Sequence, residues 1–314
     1  MSGAEPNTRS IRVVTPSYRG DLERCEVMCA SFDIFVGPEF HHQVIVPRRD
    51  LARFRGLANR RRDILCVEDV LPASAIRLPV RKERWLLAYR YRKPGWLVQQ
   101  LVKVAAARAG GVDAVIFADS DVVFVRPLHA SHFLKEGRVR LFRDAGTQHY
   151  RLDPNYPKWY RGAARLLDVA VDEPYPANFI GPLVSWAPGA VQAMCDRMEK
   201  VAGRPWIEAV GRLGDGAGFS EYTAYGVFVD RVDPATGARH AEMPAPLCHL
   251  SWDHDLGTPA GRDAFVHALK PENVAVVIQS NLRLPAAEWR ALLDRLATTD
   301  RAGDVARQSP SGAA

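Results

Sequence analysis

"AVIFADSDVVFV", residues 114–125, decides how this chain is read. Two carboxylates, Asp119 and Asp121, stand one residue apart between two apolar runs. Charged side chains are almost never fully buried unless they are paired or bound to a cation. The stretch therefore reads as a buried strand that delivers two acids to a site at its end. An isolated Asp-x-Asp also occurs in surface turns, and the apolar flanks argue against that plainer reading.

Working outward, "GWLVQQLVKVAAARAGG" precedes the acids. Trp96, Leu97, Leu101 and Val104 recur at helical spacing, and Gly110-Gly111 form a stop. Further back, "IRVVTPSY" predicts a first strand that ends in a loop at Thr15-Pro16-Ser17. Cys25, Met28, Cys29 and Phe32 predict a helix, and "HQVIVP" and "DILCVEDV" predict the second and third strands. Strands alternating with helices give an α/β fold with a largely parallel sheet. Ligands of such sheets sit beyond the carboxyl ends of the strands, where Asp119 and Asp121 fall.

Downstream, "NFIGPLVSWAPGAVQAMCDRMEKVAG" predicts a strand, a turn at Ala187-Pro188-Gly189 and a helix ending at Gly203. "GDGAGFSEYTAYGVFV" predicts a Gly-rich loop entering a helix capped by Ser220. "APLCHLSWD" predicts a short extended segment, and "VAVVIQS" another strand, followed by a helix from Pro285. Residues 1–10 and 301–314 lack an apolar pattern and are expected to be a flexible start and a disordered tail.

Composition bounds the function. The chain has 314 residues, 47% hydrophobic and 25% charged, ample for a large core. No apolar run is long enough for a spanning helix, and the polar start does not resemble a secretory signal. Five scattered cysteines give neither a disulfide framework nor paired zinc-ligand spacing, so a reduced, cytoplasmic protein is expected. Residues 48–93 hold 14 Lys/Arg against five Asp/Glu. That excess fits a field for an anionic partner, peripheral contact with a lipid surface included, or simply a solvated face. A nucleic-acid partner is not expected.

In this order, "IRVVTPSYRGD", "WLVQQLVKVAAA", "VIFADSDVVFVRPL" and "NFIGPLVSWAPGAVQAM" resemble the GT-A fold glycosyltransferases, particularly short single-domain bacterial members. The resemblance spans roughly residues 11–255. It implies one GT-A (Rossmann-like) α/β domain over 11–300, with a mostly parallel central sheet flanked by helices. A nucleotide-binding half would cover about 11–127 and an acceptor half about 128–300. It implies metal-dependent transfer of a sugar from a nucleotide-diphosphate sugar to a small molecule or glycan, with Mn²⁺ or Mg²⁺ on Asp119 and Asp121. Hard ions of this kind choose carboxylates, phosphates and water.

By the same resemblance, Thr15, Pro16, Ser17 and Tyr18 would contact the nucleotide, with Lys103, Asp119 and Ser120 toward its phosphates. Glu221 would be the base of an inverting transfer, with Asp215 as the alternative. His249 would complete the metal site, with Asp253 and His254 as its rivals. Asn178, Gly181, Trp186 and Trp252 would line the sugar or acceptor pocket. Each has a plainer reading: a helix-start glutamate favoured by the dipole, a satisfied core histidine, a solvated lysine, a buried tryptophan.

Two other functions fit the same acids. Haloacid-dehalogenase phosphatases use Asp-x-Asp as nucleophile and general acid, and Gly214-Asp215-Gly216 echoes their later motif. Their acids normally open the core, however, whereas three predicted strands come first here. A sugar-nucleotide binding protein without turnover is the third reading.

Overall fold

The computed structural model describes residues 10–78, 84–214, 218–251, 254–278 and 288–296. The predicted flexible start and disordered tail lie outside the described residues, apart from Ser10. The fold is mixed α/β.

Strand β1 (Ile11–Pro16) leads through a tight turn into helix α1 (Leu22–Phe35). As the spacing predicts, Cys25, Met28, Cys29 and Phe32 form the buried stripe of α1. Strands β2 (Phe40–Val46) and β3 (Arg62–Cys66) follow. The predicted third strand ran to Val70, but it ends at Cys66 and Val67–Val70 closes one helical turn. Glu68 and Asp69 suit the positive end of that turn.

Before the next helix the chain adds an antiparallel ribbon of Ile76–Arg77, Arg84–Leu87 and Tyr91–Pro94, which the sequence reading missed. Helix α2 (Gly95–Arg108) ends before Gly110 and Gly111, both at positive φ, and delivers β4 (Ala114–Phe117).

β1 pairs in parallel with β2 on one side and β4 on the other, and β2 pairs in parallel with β3. Parallel neighbours need a crossover, which α1 supplies from β1 to β2, short helical turns over 48–57 from β2 to β3, and α2 on the way to β4. β5 (Val122–Phe124), α3 (Tyr156–Leu167) and β6 (Val184–Trp186) come next, and β6 adds to β4 antiparallel. The main sheet therefore runs β6-β4-β1-β2-β3. Helix α4 (Pro188–Ala202) follows β6 and ends at Gly203, and α5 (Glu221–Val227) packs against α3.

The main sheet is buried on both faces. Val14, Ile45, Val115 and Phe117 point into one core, and Ile11, Val13, Val44 and Ile116 into another. The first core also holds Trp186, Met194 and Tyr225, so residues from both expected halves share it.

A second, three-stranded sheet is made by β7 (Cys248–Leu250), β8 (Ala275–Val277) and β5, with helix α6 (Pro259–His267) between β7 and β8. β7 pairs with β8 in parallel and β8 with β5 antiparallel. The chain thus leaves the main sheet at Phe117 and enters the second sheet at Val122, and Asp119-Ser120-Asp121 make the crossing. The Val122 N–H closes the turn on the Asp119 carbonyl at 3.0 Å. Among the described residues no helix is long and apolar enough to cross a membrane.

Candidate functional site

β1 and β4 are parallel neighbours, so their carboxyl ends open on the same side. A cleft of about 360 Å³ lies there, and Asp21, Lys103, Asp119, Asp121 and Glu221 all reach it. Four of these were expected as site residues; Asp21 was not. Asp119, Ser120 and Asp121 all line the cleft from the turn between the two sheets, and Ser120 is buried.

Lys103 organises the cleft. It sits in the middle of α2 and is only 6% exposed, which removes the solvated-lysine reading. Its Nζ lies 3.0 Å from Asp119 Oδ1 and 3.3 Å from Glu221 Oε1, and donates to the Tyr222 hydroxyl at 2.9 Å. An ammonium has three donors, and three acceptors surround it. Burial alone would push its pKa down, but Asp119, Tyr222 and Glu221 together outweigh burial and hold it well above the ordinary lysine value. Lys103 is therefore a fixed cation at neutral pH.

Glu221 opens α5. The Ser220 hydroxyl caps that helix by accepting from the Thr223 N–H at 3.3 Å, as the sequence implied. The Glu221 N–H donates to the Gln100 side-chain oxygen at 3.3 Å, tying α5 to α2. Approach of this segment to α3 depends on Gly162, where a Cβ would fall 1.7 Å from the Gly218 carbonyl oxygen. Burial raises the Glu221 pKa and Lys103 opposes the rise. Asp215, the alternative base, lies outside the described residues.

Asp21 ends the short turn between β1 and α1, where it makes no side-chain cap for α1. Its carboxylate faces the cleft instead. Burial raises its pKa, Asp119 adds to the rise, and Arg24 and a hydrogen bond from Ser120 oppose it. Asp121 is pushed up to about 6, first by burial and next by Asp119. Burial and mutual repulsion raise Asp21 and Asp121 despite Arg24, and a hard divalent cation would relieve both effects. Among the described residues no three His, Cys, Asp or Glu side chains are gathered into a metal-holding group. A cation here would therefore draw its other ligands from phosphate oxygens and water.

His249 sits elsewhere. In β7, its Nε2 donates to the Phe265 carbonyl at 2.9 Å, its ring stacks on Phe265 at 4.4 Å, and His254 packs edge-on at 5.4 Å. It does not line the cleft. Asp253 and Trp252 lie outside the described residues.

A second cleft of about 500 Å³ adjoins the first and shares Pro16, Asp21, Trp96 and Gln99 with it. Its other walls are mostly apolar: Ile45, Pro47, Val67, Trp85, Val98 and Val102, with Ser17, Tyr18 and Arg84. Pro16, Ser17 and Tyr18 thus reach the clefts as expected, but Thr15 does not. Thr15 is buried, with Oγ1 2.9 Å from His42 Nε2. Because Arg62 can only donate, and its Nε bonds His42 Nδ1 at 2.9 Å, the His42 proton sits on Nε2 and is given to Thr15.

Of the residues expected to line an acceptor pocket, Asn178 and Gly181 line neither cleft: Asn178 Oδ1 accepts from the Ile180 N–H at 3.0 Å, and Gly181 lies against the Phe142 ring. Trp186 is buried and stacks on Tyr225 at 4.5 Å. Its place is in the core. Among the described residues, the tryptophans that line the first cleft are Trp96, read from sequence only for its helical spacing, and Trp159, which was not singled out.

The chain belongs to a family of unknown function (DUF6492), whose model matches residues 10–300. No curated protein matches it.

Proposed function

We propose that this family member is a divalent-cation-dependent glycosyltransferase with a GT-A-like fold, moving a sugar from a nucleotide-diphosphate donor to a carbohydrate or small-molecule acceptor. The observation that carries the reading is the meeting of Asp119, Asp121, Lys103 and Glu221 in one cleft, at the carboxyl ends of parallel strands, continuous with an apolar cleft. An ionic site joined to an apolar one suits a ligand that carries its charge between a flat base and a sugar.

Asp119 and Asp121 would hold the Mn²⁺ or Mg²⁺, with Asp21 close by. Such an ion, when bound, offsets the charge on the departing nucleotide diphosphate. Lys103 keeps Asp119 aimed and offers a fixed positive charge beside the phosphate path. Glu221, held at the start of α5 by Ser220 and Gln100, takes the acceptor hydroxyl proton. Lys103 steadies its carboxylate form, which a base needs before the transfer. The reading sets the reaction in the cytoplasm, in line with five cysteines that are all unpaired and buried.

The test is nucleotide release from UDP-, GDP-, dTDP- and ADP-sugars with Mn²⁺ or Mg²⁺, followed by the anomeric configuration of the product. Cation-dependent release from at least one donor is expected, and none from any donor sinks the reading. Glu221→Gln keeps the shape and removes the base, so turnover should fall about 10²- to 10⁴-fold with the donor still bound. A product that retains the donor configuration would remove Glu221 from that role.

A further inference from the structure

Six of the seven tryptophans are described, and four of them, Trp85, Trp186, Trp206 and Trp289, are buried. The two that are not, Trp96 and Trp159, both line the charged cleft. Trp96 stands in the first turn of α2 and is 44% exposed, whereas Lys103, two turns further along the same helix, is enclosed. Trp159 projects from α3 and is braced by Tyr156, whose ring meets it edge-on at 5.0 Å. A large apolar ring kept in water beside a polar cleft calls for a ligand.

We propose that Trp96 and Trp159 form a pyranose subsite at the rim of this cleft and that the acceptor is a carbohydrate. The proposal rests on the glycosyltransferase reading and names its second substrate. An indole presents a flat apolar face to the C–H face of a sugar ring and an N–H at its edge. Gln99 and Gln100 lie in the same lining and bring side-chain amides, which both donate and accept, as a ring of hydroxyls requires. Gln100 Oε1 already accepts from the Glu221 N–H, but an apolar acceptor would give neither amide a hydrogen-bonding group to meet at the cleft wall. The half-exposed position of Trp96 and the enclosure of Lys103 and Glu221 set the order: the donor's charged groups go to the enclosed end, the second sugar to the rim.

The experiment is saturation-transfer NMR on the full chain with methyl glucoside, methyl galactoside, methyl mannoside and N-acetylglucosamine as probes. It is paired with an assay that measures transfer to the same sugars against plain donor hydrolysis. At least one pyranose should be saturated by the wild-type chain. Trp96→Ala should weaken that binding about tenfold, the order expected for one lost aromatic contact, and lower the ratio of transfer to hydrolysis by a similar factor. Trp159→Phe, which keeps a ring against Tyr156, should retain more binding than Trp159→Ala. Saturation of no probe, or equal saturation in Trp96→Ala, overturns the subsite. If only the sugar of an intact nucleotide-sugar is saturated through these rings, they hold the donor, and the acceptor assignment falls. Pyranose binding through Trp96 without cleavage of any nucleotide-sugar upholds the subsite and sinks glycosyl transfer. Cation-dependent cleavage with transfer indifferent to Trp96 does the reverse.

Discussion

The two clefts that meet at Trp96 share the end of β1 at Pro16 and differ in almost every other respect. The first gathers three aspartates, a glutamate and an enclosed lysine. The second is walled by valines, prolines, Ile45 and Trp85, with one arginine at its edge. The contrast follows from which elements close each side. β4 ends in the crossing between two sheets, where backbone turns sharply and acids can face inward. The ends of β2 and β3 line the second cleft together with Trp85 of the antiparallel ribbon. A ligand filling both would be charged at one end and flat and apolar at the other.

The sharpest way to break this comparison is Asp121→Ala. If the charged cleft works through a cation, turnover should fall on the order of 10³-fold, since loss of a metal's charge stabilisation removes several kcal/mol. Isothermal titration should show cation binding lost as well. Full cation-dependent turnover in Asp121→Ala would end the case for that cleft as a metal site.

Lys103→Met comes next. It leaves Glu221 enclosed without its counter-charge, and breaking a buried pair from one side costs about 3–5 kcal/mol. Urea unfolding should show that loss, and adding Glu221→Gln should recover part of it. No recovery in the double variant would mean that Lys103 acts through packing alone.

Acid–base behaviour sharpens the contrast further. The Asp121 pKa is raised from 3.8 to about 6 in the fold, so the folded state holds this proton more tightly than the unfolded chain. Folding is therefore unpenalised by Asp121 below about pH 4, and apo stability should fall as pH rises toward about 6, then level off. Thermal unfolding of Asp121→Asn should be flatter across that window. In the wild type, Mn²⁺ should offset the decline. An unchanged slope in Asp121→Asn would place the titration elsewhere.

The smallest effect belongs to the apolar cleft. Tyr18 lies along it and is partly exposed. Tyr18→Ala should weaken nucleoside diphosphate binding by about 1 kcal/mol, the scale of one aromatic contact, with cation dependence unaltered. Calorimetry showing the loss confined to the absence of cation would mean that Tyr18 serves the charged cleft after all.

How much of this was legible in the sequence depends on the kind of signal. Strong periodicity carried β1, α1, α2, β4 and α4 to nearly their observed bounds, because their apolar stripes face a core on the main sheet. The acids and Ser220 were legible from local chemistry alone. Lys103 and Glu221 entered by resemblance, and their contact across 118 residues of chain has no local signature. Trp96 was read only for its helical spacing, which holds, but periodicity does not say that its ring is 44% exposed and lines both clefts. Thr15 was named as a nucleotide contact by resemblance alone, and here it is buried against His42, which Arg62 in turn holds from its other ring nitrogen. Asp21 ended the quoted stretch "IRVVTPSYRGD", but nothing local set its carboxylate apart as a site residue. The ribbon from Ile76 to Pro94 escaped because its strands are short and rich in arginine.

The crossing at Ala118–Asp121 also bears on how the length of this chain can vary among related sequences. Val122 and Phe124 face one core while Val123 and Val125 face another. Side chains alternate with a period of two, so adding or removing a single residue in the crossing would exchange these sets between cores. Family members that keep both sheets should therefore tolerate insertions in the ribbon or beyond α6 far more readily than between Phe117 and Val122, where even one added residue would remake two cores and a site together.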